Sequence, residues 1–260
     1  QQLRSSFVFN SSFHMKKSSF ISLLSLACMA LMSTAFAGVT AERTRVIFPQ
    51  DKREVSLMLA NLNTYPVITQ VWVNDGHPGN TPESAKAPVM PLPPVFHMDP
   101  QQTQTLRLLQ LGDKLPSDRE SLYWLNIHEV PPTQQGPEGE DSTQVTVTMQ
   151  TQMKLILRPP KLPQSLERTA ASLQFRMDGD RITVTNEGPH YISLAYLQID
   201  AGLAPLDLED GTLAPFSTNE LRLPQPGSGA QPVRVRYGWI DDDGVVHDAS
   251  RTLESSEQAR

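Results

Sequence analysis

The sequence holds a single cysteine, Cys28, so it can form neither an intrachain disulfide framework nor a thiolate zinc cage. Long apolar runs are also missing. Nothing approaches the roughly 20 residues of a spanning helix, and the longest candidate is the stretch from Phe20 to Met32. A polytopic membrane protein is excluded. Positive charge is scarce: 22 Lys+Arg stand against 28 Asp+Glu, a net charge of -6. That is the wrong sign for phosphate neutralisation, so no nucleic-acid partner is expected. The 22 prolines and 14 glycines among 260 residues fall well short of a low-complexity chain, for which roughly 25–30% is usual. The 38% hydrophobic content supplies a core. At roughly 150 residues per domain, the length suggests two domains or one large one.

Catalytic constellations are missing as well. Six histidines occur, none at metal-ligand spacing, and there is no H-E-x-x-H, G-x-S-x-G, P-loop or G-x-G-x-x-G. Asp241-Asp242-Asp243-Gly244 lacks the ligand alternation of a calcium loop and reads as an acidic hairpin turn. Glu138, Glu140 and Asp141 lie in a Gly/Pro-rich loop, where they keep the loop solvated. The reading is therefore not an enzyme, with no catalytic residue, no metal and no small-molecule cofactor.

What is present begins with an address. From the plausible start Met15, Lys16 and Lys17 precede the apolar run, and Ala35-Phe36-Ala37 then Gly38 follow it. These are the three parts of a secretory signal peptide, with cleavage expected after Ala37. Residues 1–37 are set aside as upstream leader and signal. Losing Arg4, Lys16 and Lys17 takes the charge from -6 to -9 and leaves a mature chain without cysteine.

The body then repeats apolar residues at period two. Strands are expected over Arg45–Phe48, Val55–Ala60, Val67–Val73, Thr103–Leu109, Leu122–Val130 and Val145–Leu157, with Pro-rich turn chemistry from Pro78 to Pro94. After Pro159-Pro160-Lys161-Leu162-Pro163 the pattern restarts over Leu173–Met177, Ile182–Val184, Tyr191–Ile199, Leu221–Leu223, Val233–Ile240 and Val245-Val246. Prolines so dense make a stiff connection and deny a central strand its donors. The expected domains are 38–160 and 161–250, with 251–260 a polar tail. Many short strands between turns give an all-β fold, two immunoglobulin-like β-sandwich domains in tandem.

The unusual segment is Thr143 to Pro159. Val145, Val147, Met149, Met153, Leu155 and Leu157 alternate with Thr146, Thr148, Gln150, Gln152 and Lys154. Such alternation outruns the usual strand of about 5–6 residues. Its first part follows a solvated loop and is expected to project past the sheet. An exposed alternating edge invites aggregation unless its use is strand addition to a partner.

Leu115 to Pro132, LPSDRESLYWLNIHEVPP, resembles the signature of the periplasmic pilus-assembly chaperones, with D-R-E-S-L, the aromatic, the N-hydrophobic and the terminal P-P in register. Thr44–Phe48 is similar to that family's first strand, and Lys154–Pro159 to the last strand of its first domain. The resemblance implies two sandwiches set at an angle around a cleft, and a donor strand lent to pilin subunits that lack their own final strand. Val145, Val147 and Met149 would be the lent side chains. Arg45 and Lys154 would bind the subunit's C-terminal carboxylate in the cleft, where two cations fix orientation as well as affinity. Glu120, Arg158 and Asp242 match an interdomain charge network that holds the angle. Thr133 to Gln144 makes a long loop for the short-loop class, but no cysteine pair flanks it, so the pilus-type class is implied.

The leading expectation is thus a non-enzymatic chaperone whose partners are pilin or fimbrial subunits and an outer-membrane usher, and whose client-free edge can self-associate. The alternative is a secreted structural β-sandwich, either a fibre subunit or a carbohydrate-binding module. Gly38–Glu42 is too short for a fibre subunit's donor extension, and Trp72, Trp124 and Trp239 lie inside strand patterns rather than in an exposed cluster.

Overall fold

Period-two patterning becomes strand wherever alternate side chains find a common interior. A computed structural model describes residues 38–77, 80–112, 115–132, 146–178, 181–199, 211–222 and 233–253. The leader, the expected cleavage site's Ala37 and Val145 lie outside the described residues. Residues 38–260 form one compact unit.

The first half carries β1 (Val39–Ala41), β2 (Arg45–Pro49), β3 (Glu54–Asn61), β4 (Val67–Asn74), β5 (Val89–Leu92), β6 (Val95–Met98), β7 (Thr103–Gln110), β8 (Ser121–Val130) and β9 (Met149–Arg158). They form two sheets, in the orders β1-β3-β7-β5 and β2-β9-β8-β4-β6. Consecutive strands alternate between the sheets as far as β8, and only β9 stays in the sheet of the strand before it. Leu57, Leu59, Leu106, Leu108, Leu125, Ile127, Leu155 and Leu157 close the core between the sheets.

A short helix, α1 (Leu166–Ala171), opens the second half, capped by Ser165, whose hydroxyl accepts from the Arg168 amide. Tyr237 pins it to the second core by donating to the Ala170 carbonyl at 2.9 Å. There follow β10 (Gln174–Asp178), β11 (Arg181–Asn186), β12 (Ile192–Ile199), β13 (Thr212–Leu213), β14 (Ser217–Arg222), β15 (Val233–Ile240) and β16 (Val246–Leu253). The sheets here are β10-β11-β14 and β13-β12-β15-β16, around a separate core that includes Ile182, Val184, Leu197, Val235 and Tyr237. Both sandwiches use the same corner device. Asn61 accepts from the Asn63 amide and donates to the Met98 and Asp99 carbonyls; Asn186 accepts from the Gly188 amide and donates to the His190 and Ala214 carbonyls. An Asx side chain supplies the hydrogen bonds that the turning backbone cannot make to itself.

Several expectations need correction. Inside the stretch read as Pro-rich turns runs β5, with Pro91 in it, because an edge strand pairing only with β7 leaves proline's missing donor on the open side. The last strand, β16, extends to Leu253, three residues into the expected polar tail, since it pairs the whole length of β15 and buries Leu253 in the core. Thr146 to Thr148 are not strand, so β9 is shorter than the alternation suggested. Its partner β8 ends at Val130, ahead of Pro131-Pro132, and leaves the earlier residues no ladder to join.

Candidate functional site

The parallel pairing of β2 with β9 sets Arg45 directly beside Lys154 in register, two cations from segments 109 positions apart in sequence. Arg45 is buried, and its one hydrogen bond among the described residues is a long one, 3.4 Å from Nη1 to the Ile240 carbonyl, while its buried Nε has no partner there. Burial pulls this guanidinium below its ordinary pKa, against the opposing pull of Asp242 and Asp241. A guanidinium with unspent donors in a half-dry setting can receive an anionic, forked acceptor. Lys154 reaches to the second sandwich, donating to Ser193 Oγ at 2.9 Å and to Thr212 Oγ1, with its ammonium 5.7 Å from the centre of the Trp124 ring.

A few residues along β9, Arg158 joins Glu120 to Asp242. Its Nε lies 2.5 Å from Glu120 Oε1, and its two terminal nitrogens grip Asp242 in a fork at 2.6 and 2.8 Å. The Glu120 side chain is fully buried. Burial lowers the Arg158 pKa, and the two carboxylates, Asp242 foremost, more than reverse this, so it stays charged at any pH the fold survives. Glu120 Oε2 also accepts from the Tyr191 amide at 2.8 Å, and Oε1 faces His190 Nδ1 at 2.9 Å. On its other side the ring's Nε2 donates to the Gln164 carbonyl at 2.9 Å. The structure brings Glu120, Arg158 and Asp242 into contact. His190, Ser193, Thr212 and Tyr191 also belong to this junction and went unread, because nothing local marks them; only the signature's Glu120 pointed that way.

The donor residues are placed less fully. Val147 is 69% exposed and precedes the strand, and Met149 is 47% exposed on its first residue. Along Met149–Met153 the strand is paired on one side only, with β8, since β2 takes up pairing at Lys154. On the other side the backbone edge is bare among the described residues.

The family described as pili and flagellar-assembly chaperone, PapD N-terminal domain, matches residues 38–163, and the pili assembly chaperone PapD C-terminal domain matches 168–251. The Bordetella pertussis chaperone protein FimB/FhaD is 35% identical over 232 residues, 87% of this chain and 93% of its own. Among solved structures, the Pseudomonas aeruginosa CupB2 chaperone is 32% identical with a TM-score of 0.70, covering 83% of this chain and 100% of that one. A chain from the Salmonella enterica complex of SafA pilin with the SafB chaperone is 28% identical, also at 0.70, covering 85% and 99%. Two sandwiches, the D-R-E-S-L signature and the paired basic residues thus converge with two adjacent domain matches, and the chain belongs to the PapD-type family of pilus-assembly chaperones.

Proposed function

We propose that the protein acts in the periplasm, after cleavage behind Ala37, and binds pilus subunits by lending the leading part of β9 and the residues before it as a donor strand. It then delivers each subunit to an outer-membrane usher. The observation that carries this reading is the half-paired β9, whose edge at Met149–Met153, bare among the described residues, continues into exposed Val147. Main-chain hydrogen bonds along such an edge supply affinity and alternate side chains fill pockets, the mode of chaperone–pilin strand complementation. Arg45 and Lys154, at the closed end of that edge, anchor the subunit's C-terminal carboxylate. Glu120, Arg158 and Asp242 hold the two sandwiches in the geometry that keeps this anchor open. Without a client, the same edge pairs with a second copy, which covers the strand.

The family is one of chaperones, not enzymes, and it displaces the alternative of a fibre subunit or carbohydrate-binding module. Release needs no nucleotide if one complementing strand replaces another.

The test is co-purification from periplasm of the tagged protein with a pilin from the same source. Arg45→Ala and Lys154→Ala should each abolish a one-to-one complex, losing about 3–5 kcal/mol, while circular dichroism shows the free protein still folded. A complex indifferent to both substitutions would leave the family fold without this anchor.

A further inference from the structure

At the far end of the first sandwich a carboxylate lies inside the fold. Glu129 follows Leu125 and Ile127 on the inward side of β8 and is only 5% exposed. Its Oε2 accepts from the Val39 amide at 2.5 Å. No lysine, arginine or histidine forms an ion pair with it among the described residues. Its cross-strand neighbours are neutral: Thr69 stands opposite on β4, its hydroxyl buried without a partner among the described residues, and Met149 stands opposite on β9. Asn63 closes the same corner, with its amide nitrogen buried and unpartnered and its oxygen accepting from the Gly38 nitrogen at 2.9 Å. A buried carboxylate held by neutral donors alone is an incomplete arrangement, because desolvation is left without an opposing charge.

The missing charge has a source one bond away. A methyl group on the Gly38 α-carbon would lie 3.5 Å from Glu129 Oε2 and 3.9 Å from Oε1, so that side of the residue faces the carboxylate. Its φ of +105° is one that glycine adopts without strain while the chain still continues into residue 37. In that uncut chain the Gly38 nitrogen is a neutral amide, its single N–H spent on Asn63. Hydrolysis of the Ala37–Gly38 bond by a signal peptidase consumes one water. The oxygen goes to the Ala37 carbonyl as a carboxylate, and the nitrogen leaves as an amine that takes up a proton. The same atom then carries a positive charge and three donors.

We propose that Glu129 is the binding site for the α-ammonium group that this cleavage creates. One N–H keeps the bond to Asn63 and the others turn to the carboxylate, so that processing completes a buried ion pair and fastens β1 to the end of the sandwich. Before cleavage the corner holds an uncompensated carboxylate, and the fold is less stable. The inference rests on cleavage behind Ala37, and its test separates the two.

Intact-mass and N-terminal sequencing of the periplasmic protein come first. A start at Gly38 is expected, and any other start overturns both the processing and the inference. The processed protein is then compared with a form extended by Thr34 to Ala37 at its N-terminus, each as wild type and as Glu129→Gln. The extended wild type should melt on the order of 5–10 °C lower than the processed one, and the gap should close in Glu129→Gln. A second reading does not depend on stability: each pKa unit by which the pair raises the ammonium cuts the reactive free amine tenfold. Acylation of the α-amine should therefore be at least about tenfold slower in wild type than in Glu129→Gln. Equal melting of extended and processed forms, or an acylation rate indifferent to Glu129, would overturn the inference while leaving the cleavage site standing.

Discussion

Two ion pairs of this chain show why location outweighs geometry. Arg181 and Glu220 meet at 2.8 Å across neighbouring strands, yet both are more than half exposed. Water screens them, and such a pair contributes about 0–1 kcal/mol. Arg158 and Glu120 meet with Glu120 wholly out of water. Removing one partner there strands a charge, at about 3–5 kcal/mol. Glu120→Ala should accordingly shift the urea midpoint far down, while Arg181→Ala leaves it nearly in place. Equal shifts in the two variants would mean that the Glu120 site relaxes enough to admit solvent.

At the scale of elements, β9 is two segments in one strand. From Lys154 to Leu157 it lies between β2 and β8, and Leu155, Ile156 and Leu157 are buried. From Met149 to Gln152 it has a single strand neighbour among the described residues and its side chains are exposed. Stability therefore resides in the second segment, and the proposed function puts client contact in the first. Val147→Asp tests this division, since the residue lies ahead of the strand and is exposed. Its melting temperature should stay within about 1–2 °C of wild type, as for surface substitutions within about ±0.5 kcal/mol. Pilin co-purification should fall steeply, because a carboxylate cannot enter an apolar groove unpaired. A stable complex with this variant would move the lent strand away from residue 147.

The whole molecule is two cores joined by polar contacts. Lys154 reaches Ser193 and Thr212, Arg158 reaches Asp242, Glu120 reaches His190, and the Arg119 guanidinium lies 4.7 Å over the Phe216 ring. Such junctions resemble transient interfaces more than cores, so their cooperativity depends on a few charges. Asp242→Ala removes the forked bridge but leaves Glu120 and Arg158 paired within the first sandwich. Calorimetry should then resolve two transitions where the wild type shows one, and the proposed carboxylate anchor, losing its fixed setting, should hold subunits more weakly. A single unshifted transition would show that the remaining contacts suffice to couple the cores.

By itself the sequence determined the class of the fold. Period-two alternation and proline-rich breaks are local facts, and β3, β4, β7, β8 and β15 fall within a residue or two of where they were read. It also determined the chemistry on offer: no thiol pair, no catalytic constellation, and a basic residue in each of two matching strand segments. Only the tertiary structure decided which strands are neighbours. The parallel register that seats Arg45 beside Lys154, the edge that β2 leaves bare, and the meeting of Glu120 with His190 all join segments far apart in the chain. So does the inward turn of Glu129 toward Gly38. The physical reason is common to all of them: alternation says that a strand has an inner face, but what that face meets depends on long-range pairing. A buried polar group is legible only when its partner is known.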